Sequence, residues 1–174
     1  MAKSIIVSTL ILFFTAILEA SIFSNISFFI VVPDFLLICS IYFSLLNGKF
    51  YGETTGFLSG LFLDFITGVP LGLNCLLRTI LGYIFGLFSE TVIISGIIMP
   101  VLSVGVGTLA KRLLLILIGI LFPGCNVSIY GFVSTQFLFE FCANVILAPF
   151  IFFMLGYAKN VLAISTTKDK IDNV

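Results

Sequence analysis

Long apolar runs alternate with short polar breaks along this chain, a pattern typical of a protein that crosses a membrane several times. Each break carries glycine, proline, asparagine or a charged residue. A helix needs about 20 apolar residues to cross the hydrocarbon core of a bilayer. The pattern therefore predicts six membrane-spanning helices, at residues 4–23, 27–46, 51–66, 71–88, 92–122 and 133–157.

The span count stays open at two places. The segment 92–122 is longer than one crossing requires and contains Lys111 and Arg112, so it is either one tilted span or a span followed by a buried helix. In a five-span chain the two termini would lie on opposite sides. The run after Met1 is similar to a signal peptide, but further apolar segments follow at once and favour an uncleaved first span. We expect one transmembrane domain at 1–158 and a polar tail at 159–174 that frays.

A small or acidic residue recurs at every fourth position through the third segment and the turn after it. These positions are Gly52, Gly56, Gly60, Asp64, Gly68 and Gly72. A four-residue step keeps them on one slowly drifting helix face, and in lipid a glycine stripe lets a second backbone come close. The fourth segment has a matching stripe, at Asn74, Arg78, Gly82 and Gly86. The stripes indicate close packing of these two helices, or a shared face for an external partner.

Composition supports a membrane protein and narrows the chemistry. Of the 174 residues, 60% are hydrophobic and 9% are charged, whereas soluble domains have about 25% charged residues. Eight basic residues balance eight acidic ones, which excludes the dense basic surface that nucleic acid binding requires. Histidine is absent from the sequence, which excludes histidine-dependent nucleophiles and zinc motifs. We therefore expect no catalytic residue, no metal and no cofactor.

The lysines predict an orientation. In a six-span arrangement, five of them fall on one side of the membrane: Lys3, Lys49, Lys159, Lys168 and Lys170. Since positive residues are retained on the cytoplasmic side, both termini are predicted to be cytoplasmic.

Charged side chains inside the apolar segments are the main candidates for function, because such groups are costly in lipid. They are Glu19, Asp34, Asp64, Arg78, Lys111, Arg112 and Glu140. Asp64 and Arg78 flank one turn, so antiparallel packing predicts a buried ion pair between them, either structural or functional. Lys111 and Arg112 must snorkel or find acidic partners. Asp34 and Asp64 are also formally available as an acid–base pair, which is a weak signal.

The sixth segment has a second polar group. Asn144 follows Glu140 by about one turn, and Pro149 comes five residues later. Proline bends a membrane helix and frees a carbonyl that nearby polar side chains can satisfy. This predicts a kink with a local polar cluster, or a notch for a partner. Pro33 and Asp34 either interrupt the second segment or begin a helix there.

Residues 33–72 resemble the MreD family of bacterial rod-shape-determining proteins. Pro33–Asp34 opens a leucine-rich span, and GLFLDFITGVPLG at 60–72 matches the family's G-x-x-x-D-[hydrophobic]-x-x-G-x-x-x-G core. Asn144 and Pro149 are similar to the Asn…Pro pattern of the family's last span. Lys111–Arg112 and the absence of tryptophan depart from the family.

The resemblance implies an all-α integral membrane protein, a six-transmembrane-helix bundle similar to the substrate-binding subunits of energy-coupling-factor transporters. It implies a non-enzymatic scaffold of the cell-elongation machinery in the bacterial inner membrane. The implied partners are an MreC-like one-span protein, a RodA-like polymerase with its transpeptidase, and an MreB-like filament. Asp64 would be the polar anchor and Arg78 its partner, with Glu140 and Asn144 as secondary candidates. The alternatives are a vitamin-binding transporter subunit and a lipoprotein signal peptidase, whose Asn/Asp blocks have no match here.

Overall fold

The computed structural model describes residues 2–24, 32–68, 70–91, 96–122 and 135–164. These ranges contain seven α-helices and no strand: α1 (Ala2–Ser24), α2 (Phe35–Asn47), α3 (Lys49–Thr67), α4 (Leu73–Leu87), α5 (Ile98–Leu121), α6 (Thr135–Tyr157) and α7 (Lys159–Leu162). The predicted all-α fold class is confirmed.

The six predicted segments each contain one long helix, and the bounds differ most in the second and fifth. α2 begins at Phe35, directly after Asp34, so the Pro–Asp pair marks the start of a helix and not an interruption within one. α5 begins at Ile98. Residues 27–31, 92–95 and 133–134 of the predicted segments lie outside the described residues.

α2 lies at the centre of the bundle because it is apolar on every side. All side chains from Leu36 to Leu46 are buried, as expected for a helix without a polar face. It contacts α1, α3, α4, α5 and α6. With 13 residues it is about 20 Å long at 1.5 Å per residue, shorter than the hydrocarbon core of about 30 Å.

Three of the described helices are long and apolar enough to cross a membrane, judged by length and composition. The stretches are Lys3–Ser21, Ile98–Leu121 and Thr135–Tyr157. α2 and α4 are also apolar, but they are shorter. The count of six membrane spans therefore stays a prediction.

α3 and α4 form an antiparallel hairpin in which the two small-residue stripes face each other. A Cβ atom on Gly52 would overlap the backbone of Gly82, and one on Gly56 would overlap the carbonyl of Arg78. A Cβ on Gly60 would overlap the backbone of Asn74. The pairs advance four residues on α3 while they retreat four on α4, so the close contact continues through several turns. This is the intramolecular packing that the stripes indicated.

The last two stripe positions, Gly68 and Gly72, have a different role. Each has a positive φ, 64° at Gly68 and 98° at Gly72, and a Cβ at either would meet no atom within 4 Å. Glycine is favoured there because other residues seldom adopt this backbone conformation. These two glycines form the turn between α3 and α4 and not the helix contact.

The first part of the predicted polar tail is ordered and packed. α7 follows α6 directly, and Leu162, Ala163 and Ile164 are buried against the core. This differs from the expected fraying because these three residues are apolar and the ends of α1 and α2 provide a surface for them. The rest of the tail, 165–174, lies outside the described residues.

We expect Gly56→Ala to lower the free energy of unfolding by about 1–3 kcal/mol, the usual cost of overpacking, because the new methyl group would push α4 away. Gly156→Ala is the matched control, since Gly156 is also within a helix and a Cβ there meets nothing within 4 Å. Thermal unfolding of both variants in detergent is the measurement. Equal stability of the two variants would contradict the tight α3–α4 contact.

Candidate functional site

Polar side chains from five helices meet beside the first turn of α2. We call this set the Asp34 network, and its members are Glu19, Asp34, Arg78, Thr108, Lys111, Glu140 and Asn144. α1, α4, α5 and α6 each contribute at least one side chain, and Asp34 comes from the N-cap position of α2. The network therefore joins the central helix to four others.

Asp34 is the hub of the network. Its Oδ1 accepts a hydrogen bond of 2.8 Å from the backbone N–H of Leu37, which caps α2 and places the carboxylate at the positive end of the helix dipole. Arg78 Nη2 lies 2.6 Å from the same oxygen, and Lys111 Nζ lies 2.7 Å from Oδ2. The Arg78 and Asp34 side chains are only 2% and 5% exposed. Such a pair is strongly coupled, because loss of either partner leaves a buried charge.

Lys111 extends the network to α6. Its Nζ also lies 2.6 Å from Oε1 of Glu140, so it bridges two carboxylates. Lys111 and Glu140 are 19% and 20% exposed, which makes them the outer edge of the network. The sequence predicted that Lys111 must snorkel or find acidic partners, and it has two.

Hydrogen bonds of neutral groups complete the arrangement. The backbone N–H of Asp34 donates to Asn144 Oδ1 at 2.8 Å, and Asn144 Nδ2 donates to Thr108 Oγ1 at 3.2 Å. The backbone N–H of Leu36 donates to Glu19 Oε2 at 3.2 Å. Helix N-terminal N–H groups have no partner within their own helix, so α6 and α1 supply acceptors that α2 lacks.

The predicted Asp64–Arg78 ion pair is wrong. In the α3–α4 hairpin Arg78 lies opposite Gly56, two turns from Asp64 along α3, which is about 12 Å at 1.5 Å per residue. The guanidinium of Arg78 instead reaches Asp34 on the central helix. Antiparallel packing was predicted, but the register places Asp64 opposite the turn.

Asp64 caps the helix that follows it. Its two carboxylate oxygens accept hydrogen bonds from the backbone N–H groups of Gly72, Asn74 and Cys75 and from Nδ2 of Asn74, at 2.9–3.3 Å. Gly72, at the N-cap of α4, has no side chain that could do this. An anion at the N-terminus of a helix is also favoured by the helix dipole. Asp64 thus fixes the turn from α3 into α4.

Two further sequence candidates, Arg112 and Pro149, have other surroundings. The Arg112 guanidinium lies over the ring of Phe137, 5.5 Å from its centre. Pro149 lies within α6 and lines an apolar groove of about 770 Å³, together with Pro100 and Gly156. The structure therefore brings Glu140 and Asn144 into the network, while Pro149 belongs to a separate surface.

The arrangement is suited to holding helices together. Asp34 and Asp64 are each engaged by several donors, and they cap different helices, so they do not form an acid–base pair. Among the described residues, no group of three or more histidine, cysteine, aspartate or glutamate side chains could hold a metal ion.

Sequence reasoning missed the central position of Asp34 and the participation of Thr108. Asp34 had a usable signal, because an aspartate after proline is a common helix start and a buried acid needs basic partners. Thr108 had none, because a threonine in an apolar helix commonly bonds to its own backbone. It does so here as well, donating to the Val104 carbonyl at 2.9 Å.

We expect Asp34 and Arg78 to be energetically coupled. Asp34→Leu and Arg78→Met should each lower the stability by about 3–5 kcal/mol, because each leaves a buried charge, and the double variant should lose much less than the sum. A double-mutant cycle of unfolding in detergent measures the coupling. Asp64→Leu with Arg78→Met is the matched control pair and should be close to additive. Additivity of Asp34 and Arg78 would contradict their pairing.

Comparison with known proteins finds one family model that matches most of the chain. The family model for rod shape-determining protein MreD matches residues 2–158. No curated protein and no solved structure matches the chain significantly. The matched region includes the glycine hairpin, Asp64 and all members of the Asp34 network. The chain belongs to the MreD family of rod shape-determining proteins.

Proposed function

We propose that this protein is a non-enzymatic membrane scaffold of the bacterial cell-elongation complex. It would support lateral peptidoglycan synthesis and cell shape through helix–helix contacts with other membrane proteins. The observation that carries the proposal is the Asp34 network within an MreD-family chain. Asp34, Arg78, Lys111 and Glu140 bind one another, and this use of costly buried charges suits a body of fixed shape.

A scaffold must present a defined surface, and two features of the fold support this. The glycine hairpin fixes α3 against α4 at backbone contact, and the Asp34 network fixes α1, α4, α5 and α6 against the central helix. Close packing of this kind has few alternative arrangements. Partner helices would therefore meet a preformed surface.

α1, α5 and α6 offer apolar surface for such contacts. Their outward side chains include some of the most exposed large apolar residues: Phe14, Leu18, Leu113, Ile120, Ile146 and Phe153. In lipid, packing of complementary shapes drives helix association because the hydrophobic effect does not. These helices are our candidates for the surfaces that meet an MreC-like one-span protein and a RodA-like polymerase with its transpeptidase, with an MreB-like filament on the cytoplasmic side.

The proposed topology has six spans in the inner membrane with both termini in the cytoplasm. It rests on the lysine distribution and on six successive helices. α2 and α4 are short for a full crossing, but both are packed within the bundle, where protein replaces lipid around them. Residues 1–158 would form the transmembrane domain.

In this proposal the site residues act as structural anchors. Arg78, Glu140 and Asn144 hold helices around α2, while Asp64 holds the turn into α4. Pro149 shapes the outer surface of α6 next to its groove. These residues would affect partner binding indirectly, because they fix the shape of the surface that partners contact.

The scaffold role is tested by replacing the resident MreD protein of a rod-shaped bacterium with this chain. We expect the unaltered chain to restore rods and to co-purify with the MreC-like protein. The Asp64→Ala variant should still insert into the membrane, but the N-terminus of α4 is no longer capped. We therefore expect the cells to lose their rod shape or the variant to lose co-purification with the MreC-like protein. Thr67→Ala is the control, since this exposed hydroxyl near the same turn bonds only to the Leu63 carbonyl of its own helix, and it should behave as the unaltered chain.

Two results would count against these assignments. Normal rods and normal co-purification with Asp64→Ala would remove Asp64 from the mechanism. A vitamin bound to the purified protein, with no rescue of shape, would favour a transporter subunit instead.

The topology is tested separately with reporter fusions. A fluorescent protein that folds only in the cytoplasm should be active after residue 174 and after Glu90. Alkaline phosphatase, which is active only outside the cytoplasm, should be active when fused after Asn126. If the fluorescent protein were inactive after residue 174 and alkaline phosphatase active there, the chain would have an odd number of spans.

A further inference from the structure

The end of the bundle that carries Asn47 holds the short segment at which helix α7 ends. Asn47 is the last residue of α2, and its Nδ2 donates to the carbonyl of Leu162 at 3.0 Å. Its Oδ1 accepts from the backbone N–H of Ile164 at 2.9 Å. Ala163, between these two residues, is extended, with φ −69° and ψ 139°. One side chain therefore satisfies the backbone on both sides of a single residue.

This geometry is that of a strand pairing. A carboxamide carries an N–H donor group beside a carbonyl acceptor, and a backbone residue also has both kinds of group. In a parallel ladder a residue bonds to the neighbours on each side of the residue opposite. Asn47 thus takes the place of one residue of a β-strand. Recognition of an extended peptide through its backbone is a known mode of peptide binding, with alternate side chains providing specificity.

The side chains of the bound segment fit the same description. Leu162 and Ile164, two positions apart, are buried in the core cluster. Ala163 is also buried, and its carbonyl accepts a hydrogen bond of 3.3 Å from Ser4 Oγ of α1. The position between the two large residues is therefore limited to a small side chain. The site therefore fits an apolar–small–apolar segment that is extended at its small residue.

We propose that Ser4 and Asn47 form a peptide-recognition site, occupied in cis by residues 162–164 of the same chain. The bound segment lies beyond the family match, which ends at residue 158, so this site does not depend on the scaffold role. It ties the start of α1 to the end of α2 through a third segment.

Occupancy of this site also shapes its surroundings. Ile164 forms part of the wall of a cleft of about 590 Å³, which Lys49, Tyr51 and Glu90 also line. The cleft and the peptide site share Asn47 as well. Release of the segment would therefore join the two into one larger opening at this end of the bundle.

Hydrogen exchange of the full chain in nanodiscs tests the role of Asn47. In Asn47→Ala the amide of Ile164 should exchange about tenfold faster, because its N–H loses the side-chain oxygen that accepts its hydrogen bond. Thr54→Ala is the control. Thr54 lines the same cleft but bonds only to its own helix, at the Phe50 carbonyl, so exchange should not change. Unaltered exchange in Asn47→Ala would overturn the proposal.

Ala163→Phe tests the bound segment, since this residue lies between the two backbone groups that Asn47 contacts. We expect the same faster exchange at residue 164, because the ring does not fit beside Ser4. Normal protection with this variant would contradict selection of a small residue.

Cross-linking shows whether the segment bound at Asn47 belongs to the same molecule or to a second molecule. In a background with Cys125 and Cys142 replaced by serine, Ser4→Cys with Ala163→Cys should give an intramolecular product with a short bismaleimide. Adding Asn47→Ala should reduce its yield. Ala163→Cys alone is the control for random collisions between molecules. Cross-linked dimers from the double-cysteine variant, in place of the intramolecular product, would overturn occupancy in cis.

Discussion

A carboxylate buried among membrane helices must be matched by positive charge, and much of this fold depends on how Asp34 meets that requirement. Its partners, Arg78 and Lys111, come from α4 and α5. Lys111 in turn holds Glu140 of α6. In a medium of low dielectric an unpaired charge is costly. Each charged group therefore keeps the helix of its partner beside its own helix. The lateral order of the helices around α2 follows from these contacts.

The glycine hairpin and the Asp34 network depend on each other through Arg78. Its backbone carbonyl faces Gly56 across the α3–α4 contact, while its side chain reaches Asp34. A larger residue at Gly56 would displace the backbone from which the guanidinium extends. The small-residue stripe is therefore a condition for the ion pair as well as for close packing. Asp64 closes the same hairpin at its other end by capping α4.

Local and periodic features were predictable from the sequence, and features that depend on depth in the bundle were not. The four-residue stripe predicted the α3–α4 contact because it needs only helix periodicity. The partner of Arg78 was not predictable, because it depends on register and on the position of a third helix. The partners of Asp64 were not predictable either, because they are backbone N–H groups at the start of the next helix. Such groups are present in every residue except proline, so the sequence does not single them out. The central position of α2 was also hidden, because an apolar run looks the same whether lipid or protein surrounds it.

These contacts also limit how the protein can recognise others. Four charged groups of the Asp34 network, those of Asp34, Arg78, Lys111 and Glu140, are paired with one another. The helices α1, α5 and α6 present mainly apolar side chains outward. Specificity toward a membrane partner then has to come from shape, as in the groove beside Pro149. The contact at Asn47 also needs no charge, and it holds residues 162–164 of the same chain. A body held together by buried charges can thus offer a largely uncharged surface and still select its partners.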